Sequence, residues 1–304
     1  MSMAGYSVGI DVGGTKVFSQ LFDSSLKSIS SDKRPSGQGA LEVTESISQS
    51  LLEVTQSAGI DIADLDGVGI GIPGQVDPLL GEVSNAVNLG FEYLNLGQEL
   101  FERFGLTSSI LNDVNATAMG IAKSHPPTDT LAYLNFGTGL AAGFVIDGKL
   151  LLGSNNLAGE IGHFSADPNG SLCPCGQRGC LETLASASGI KSYLLEKGAT
   201  PQDWLSFEKL PHKLRENIGN RFIEGMTKAV TAISLSLNPD YIYLGGGTLD
   251  VIREDRGELL SLLLESELFP NFLAKSDFLE RVRFVENHSS LATLGSVVSL
   301  GAKT

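Results

Sequence analysis

The 304 residues predict an α/β protein built of two related halves. Three observations carry this. Short apolar runs with strand character alternate along the chain with segments of helical period. Two of the strand pairs, at 6–22 and 130–146, each flank a Gly/Thr turn, as an internally duplicated fold with one such turn per half would have. The length exceeds the roughly 100 to 200 residues of a usual single core, so two domains, or one large one with insertions, are expected.

Residues 6–22, YSVGIDVGGTKVFSQLF, read as two alternating strands joined by a Gly-Gly turn, a β-hairpin. The turn carries Asp11, Thr15 and Lys16. It lacks the G-x-x-x-x-G-K-[ST] spacing and runs into strand, so it is no Walker A loop. Gly13 and Gly14 still let backbone N–H groups approach oxyanions, and Asp11 suits the water shell of Mg²⁺. A strand near 28–33 follows, and Leu41, Ile47, Leu51, Val54 and Ala58 stand at helical spacing. DGVGIGI at 66–72 is a short buried strand ended by Pro73-Gly74, and 75–89 is a loop or hairpin holding Asn85 and Asn88. A helix near 97–104 and a strand at 109–111 lead to Asn112-Asp113-Val114-Asn115, which opens a helix ending near His125-Pro126-Pro127. Asp113 thus sits at a strand-to-helix junction, where a carboxylate can also be a plain N-cap.

Strands at 130–135 and 140–146 flank Gly137-Thr138-Gly139, and Asp147-Gly148 turns the chain again. Later come a long helix over 217–237, ended by Asn238-Pro239, and a strand at 241–244. That strand runs into Gly245-Gly246-Gly247-Thr248, bare backbone against which a base or ribose can lie flat. A helix near 254–265, a strand at 281–286 and a helix from Ser290 complete the chain. No Pro/Ser-rich tether divides it, so the domain boundary is a continuous hinge, best placed at the Asp113 helix. The expected division is 1–113 with 290–304 against 114–289, with the latter carrying a metal loop.

That loop, 157–184, reads LAGEIGHFSADPNGSLCPCGQRGCLETL and holds every cysteine of the chain. His163, Cys173, Cys175 and Cys180 follow the order H-x9-C-x-C-x4-C, with glycines and prolines between them for tight turns, and fit a tetrahedral Cys3His zinc site. Four protein ligands leave no open position, so the zinc is structural. Two carboxylates, Glu160 and Glu182, stand at the ends of the loop.

Composition narrows the function classes. A net charge of −14 argues against unspecific nucleic-acid binding, which needs a basic surface. No apolar run reaches the roughly 20 residues of a membrane helix, and the first residues lack a signal-type pattern, so a cytoplasmic protein is expected. Reduced thiols in that compartment suit zinc, and three cysteines suit disulfides badly.

Two Gly/Thr turns, a Gly-rich turn after a late strand, a junction carboxylate and a metal-pinned loop with polar side chains are the parts of a phosphoryl transferase. Such an enzyme needs donors around phosphate, a metal near it, and a base for the attacking hydroxyl. The segments DVGGTK, LNDVNATAMG, FGTGLAAG, AGEIGH and CPCGQRGCLE, in this order, closely resemble the ROK family (repressor, open reading frame, kinase) of bacterial sugar kinases and sugar-responsive repressors. The likeness spans about Val8 to Gly301, and the cysteine signature is its most specific part. It implies the duplicated actin-like ATPase (ribonuclease H-like) fold, two domains around a central cleft. It makes residues 11–16 (Asp11, Gly13, Gly14, Thr15, Lys16) and 137–143 (with Gly137, Thr138, Gly139) the phosphate loops for ATP and Mg²⁺, and Gly245, Gly246 and Gly247 the adenosine turn. Asp113 becomes the catalytic base, and Asn88, Asn112, Glu160, His163 and Glu182 the sugar contacts. His163 then serves zinc as well, through its other ring nitrogen.

The resemblance implies an ATP-dependent hexose kinase acting on the 6-hydroxyl of glucose or an N-acetylhexosamine, expected as a homodimer. Its alternative is a sugar-sensing regulator without significant catalysis, and a third reading is an actin-like structural or chaperone ATPase. Only about seven residues precede the first strand, too few for the helix-turn-helix of the repressors, which favours the kinase. Ala141 stands where a third glycine is common in the second phosphate turn. If zinc holds only the sugar loop, Cys175→Ala is expected to weaken sugar binding while the nucleotide turns keep their own strands. Which hexose is used, and whether a donor other than ATP serves, stay open at this stage.

Overall fold

The computed structural model describes residues 5–125, 129–252, 256–270 and 275–301, so Pro126 and Pro127 of the expected helix end lie outside the described residues. Strands β1 (Tyr6–Val12), β2 (Lys16–Phe22) and β3 (Ser28–Pro35) pair antiparallel in succession, and helix α1 (Ala40–Ala58) follows. β4 (Leu65–Ile72) lies parallel to β1. A separate antiparallel ribbon comprises β5 (Gln75–Asp77), β6 (Glu82–Ala86) and β7 (Phe91–Asn95). After α2 (Leu96–Phe104), β8 (Ser108–Asn112) lies parallel to β4 and opens into α3 (Asp113–Ser124). β9 (Thr130–Phe136), β10 (Leu140–Ile146) and β11 (Lys149–Leu150) come next, then α4 (Glu182–Ala185), α5 (Ala187–Glu196) and α6 (His212–Ser236). β12 (Tyr241–Gly245), α7 (Gly247–Ile252), α8 (Arg256–Glu265), α9 (Lys275–Arg281), β13 (Val282–Phe284) and α10 (His288–Leu300) end the chain.

The two large sheets have orders β3-β2-β1-β4-β8 and β11-β10-β9-β12-β13. In each, the first three strands run outward to one edge and two later strands add on the other side. Those later strands are parallel, β4 to β1 and β8 to β4 in one sheet, β12 to β9 and β13 to β12 in the other. The duplication read from the two Gly/Thr turns is therefore a duplication of topology.

Alternation explains how the first sheet is filled. Val8, Ile10 and Val12 of β1 and Val68, Ile70 and Ile72 of β4 are fully buried with Ile47, Leu51 and Val54 of α1. The intervening glycines serve the other face. A Cβ on Gly9 or Gly69 would stand 2.1 Å from the carbonyl oxygen of Thr293 or Ser296, so α10 lies directly on bare strand backbone. α10 meets α3 as closely: a Cβ on Gly120 would stand 1.9 Å from the Leu291 oxygen, and one on Gly295 1.9 Å from the Ala116 oxygen. The last helix thereby locks α3, and with it Asp113, to the first sheet.

The chain forms two compact units, one of Met1–Thr128, Gly143–Ala158 and Asn287–Thr304, the other of Asp129–Ala142 and Gly159–Glu286. Compactness groups α3 with the residues before it, whereas the sequence reading grouped 114–289 together. The packing of α3 on α10 is the reason. Local differences are small. The loop or hairpin at 75–89 is a hairpin that gains a third strand, β7, whose exposed Glu92 and Tyr93 gave no apolar alternation to read. α6 starts at His212, directly after Pro211, rather than at 217. The strand at 281–286 shortens to β13, preceded by α9.

Candidate active site

In the first unit, β1 delivers Asp11 to the mouth of the β1–β2 hairpin, where Gly13 N–H closes the turn on the Lys16 carbonyl at 2.8 Å. Burial pushes the Asp11 carboxyl above its ordinary value, against a hydrogen bond with Ser289 and the charge of Lys16. Asp11 is half-buried, and an acid in such a place whose neighbours compensate it only in part suits a cation. Thr15 and Lys16 are exposed at the turn. Asn88 stands beside it: a Cβ on Gly14 would meet both Asn88 Cβ and its carbonyl oxygen at 3.4 Å. Asn112 caps α3, its Oδ1 accepting from Val114 N–H at 3.0 Å while its amide donates to the Gly74 carbonyl at 3.1 Å. Asp113 is therefore carried on the first residue of a helix whose start is pinned on both sides, and it is half-buried. The cap is Asn112, so the plain N-cap reading of Asp113 falls away.

In the second unit, Gly137-Thr138-Gly139 closes on itself through Gly137 N–H to the Gly139 carbonyl at 3.0 Å. Thr248 at the start of α7 donates its hydroxyl to the Gly137 carbonyl at 2.8 Å, which ties the Gly-rich turn to this one. Gly245 ends β12 opposite Asn135, and Gly246 has φ +102° with its notional Cβ 2.4 Å from the Phe136 carbonyl, a place no side chain fits. Nothing lies within 4 Å of a Cβ on Gly247, so the last glycine faces open space.

The thiols and imidazole converge. The donor atoms of His163, Cys173, Cys175 and Cys180 all lie within 4.8 Å of one another, among the described residues the one group of three or more His, Cys, Asp or Glu able to hold a metal ion. Cys175 and Cys180 sulfurs are 3.6 Å apart and Cys173 sulfur is 3.7 Å from His163 Nδ1. A tetrahedral zinc with Zn–S of about 2.3 Å needs sulfurs about 3.8 Å apart. The residues fit the ion. Burial pushes the Cys180 thiol up to about 12, while the Gln177 backbone N–H brings Cys175 down to about 7. A divalent cation holds all of them as thiolates. Nδ1 is the ring nitrogen of His163 that faces the cluster. Glu160 keeps an exposed edge, yet desolvation by the surrounding loop, with Glu182 nearby, raises its carboxyl above the ordinary range. Glu182 spends one oxygen on the second turn, accepting from Leu140 N–H at 3.0 Å.

Each unit thus gathers its own share of the expected residues: Asp11, Gly13, Gly14 and Asn88 in one group and Asn112 with Asp113 in another, then the second turn with Thr248, Glu182, Glu160 and the metal cluster. Sequence reasoning missed Ser289, Thr248, Gln177 and the Ser186-Ala187-Ser188 run that backs the second turn. The last had a readable signal, a Ser N-cap ahead of a helical pattern; its Oγ accepts from Gly189 N–H at 3.1 Å.

Comparison with known proteins decides the relationship. The ROK family model matches residues 7–259. The chain belongs to the ROK family. This ROK chain is 29% identical over 262 residues to a glucokinase of Halalkalibacterium halodurans, 79% of each chain. It is 32% identical over 248 residues to an N-acetylmannosamine kinase of Vibrio cholerae, 79% of this chain and 83% of that one. Its structure resembles the ROK hexokinase from Thermus thermophilus with TM-score 0.79 at 23% identity, covering 98% of this chain and 99% of the other. The ROK glucokinase from Streptomyces griseus, solved with glucose and AMPPNP, gives TM-score 0.74 at 23% identity over 97% and 99%. The fold is the duplicated actin-like ATPase fold. Among the described residues no helix is long and apolar enough to cross a membrane.

Proposed function

We propose that this sugar kinase of the ROK family transfers the γ-phosphate of ATP to the 6-hydroxyl of glucose or of an N-acetylhexosamine, with Asp113 as general base. The observation that carries the reading is the family match through both Gly/Thr turns and the Asn112-Asp113 junction, among relatives that include a glucokinase and an N-acetylmannosamine kinase. In this reading the Asp113 carboxylate takes the proton as the sugar oxygen attacks the γ-phosphorus, the bond from that phosphorus to the β-bridging oxygen breaks, and ADP leaves. Asn88, Asn112, Glu160, His163 and Glu182 orient the sugar, and a hydroxyl held in line reacts far faster than one that is merely near. The turns at 11–16 and 137–143 hold the phosphates, and Gly245 to Gly247 lie against the adenosine. Mg²⁺, when bound, neutralises phosphate charge, with Asp11 the residue to hold its water shell. Zinc at His163, Cys173, Cys175 and Cys180 orders the loop and takes no part in the chemistry.

An ADP-release assay over glucose, mannose, N-acetylglucosamine and N-acetylmannosamine tests this, with the phosphorylated position read by NMR. Turnover of at least one of them to the 6-phosphate is expected. Tight sugar binding with no turnover on any would establish the sugar-sensing regulator instead.

A further inference from the structure

The second Gly/Thr turn is fastened from one side by a single segment of chain. Leu140 N–H donates to Glu182 Oε2, Ala187 N–H to the Gly137 carbonyl and Ser188 N–H to the Thr138 carbonyl, each at 3.0 Å. All three partners come from residues 182–188, and this segment starts two residues after the metal-cluster thiol of Cys180. The step between them is stiff. Thr183 donates both its N–H (2.9 Å) and its hydroxyl (2.7 Å) to the Cys180 carbonyl, Leu181 N–H donates to the Phe164 carbonyl at 3.0 Å, and the Ser186 hydroxyl donates to the Glu182 carbonyl at 2.8 Å. Packing leaves no slack: a Cβ on Gly139 would stand 2.5 Å from Glu182 Oε2, and one on Gly189 2.4 Å from the Glu182 carbonyl oxygen.

We infer that Glu182 is a positioning residue for the second phosphate turn, so that the metal loop governs nucleotide affinity as well as sugar affinity. The inference rests on the proposed reading of Gly137 to Gly139 as a nucleotide phosphate turn. A phosphate cradle of backbone N–H groups binds well only when those groups already point at the ligand, and Leu140 is where the turn rejoins β10. The carboxylate accepts there as a charge-assisted acceptor, stronger than a neutral one. Its other oxygen, Oε1, makes no hydrogen bond within the described residues and is the one left for a sugar hydroxyl. One side chain thereby joins the sugar loop to the nucleotide turn.

The test is calorimetry of AMPPNP with Mg²⁺ and no sugar, together with amide exchange at Leu140, on protein whose zinc content matches the native. Glu182→Ala is expected to weaken AMPPNP by about tenfold and to speed exchange at Leu140. Glu182→Gln keeps a carbonyl acceptor at the same reach and is expected to stay within about threefold of native on both readouts. Glu182→Asp keeps the charge but falls one methylene short, and is expected to behave like the Ala variant; it also serves if Ala fails to fold. Native affinity and native exchange in both Ala and Asp variants would overturn the inference. So would the reverse ranking, Asp retained and Gln lost, which is the signature of a purely electrostatic role. If native protein binds no AMPPNP while exchange at Leu140 still quickens in the Ala variant, the nucleotide reading has failed and the anchoring by Glu182 stands.

Discussion

Asp11 is half-buried at the first Gly/Thr turn, and its enclosure works against its charge. Burial, the largest influence, raises its carboxyl above the ordinary 3.8, against Ser289 and Lys16. The folded protein therefore holds this proton more tightly than the unfolded chain does. The contribution to stability is present below the unfolded value and is lost as the pH rises through the folded one. Asp11→Asn, which cannot ionise, should melt higher than native at pH 7 without Mg²⁺ or nucleotide, and the difference should shrink as the pH falls toward the raised value. Melting curves across pH check this, and an Asn variant that melts lower at pH 7 would mean that the Asp11 charge is compensated after all. At this scale the sequence was legible where chemistry is crowded into a short span. His163 and the three cysteines lie within one loop and converge as their spacing predicts. Glu182 was half legible: its place beside the metal cluster could be read, but its hydrogen bond to Leu140, 42 positions away, is a product of tertiary packing.

Among the elements, the Gly-rich turn after β12 depends on one backbone position. Gly246→Ala would place a methyl 2.4 Å from the Phe136 carbonyl at φ +102°. Strain of this kind costs about 1–3 kcal/mol, so the variant should melt lower than native and bind adenine nucleotide more weakly. Gly247→Ala, with open space around its Cβ, should do neither. Equal melting temperatures for the two would refute the close approach. The metal loop makes the second prediction. Native protein should carry one zinc per chain, and Cys175→Ala should lose it, melt lower and bind sugar more weakly. From the sequence alone, nucleotide binding is expected to be less affected than sugar binding. With residues 182–188 clasping the second turn, nucleotide affinity is expected to fall as well, which calorimetry without sugar measures. The strands that sequence reasoning caught were those with buried alternation, such as Val8, Ile10 and Val12; β7, with exposed Glu92 and Tyr93, had no such pattern.

For the whole molecule, the two sheets share one strand order, and α10 returns from the end of the chain to pack on β1, β4 and α3 through Gly9, Gly69 and Gly120. The duplication was legible because each half repeats a strand, a Gly/Thr turn and a strand. The grouping of α3 with the first unit was not, because it depends on contacts such as Gly120 with Leu291, between helices far apart in the chain, which no local period records. In the proposed mechanism Asp113, at the start of that helix, is the base for a sugar hydroxyl. The most direct measurement is ADP release by native protein and by Asp113→Asn on the best sugar, with sugar affinity of both taken by calorimetry. Turnover reduced by roughly 10² to 10⁴ and sugar affinity within a few-fold are expected, since a base acts in the transition state while the other hydrogen bonds hold the ground state. An Asp113→Asn variant that keeps more than about a tenth of native turnover would contradict it, because another group would then be taking the proton.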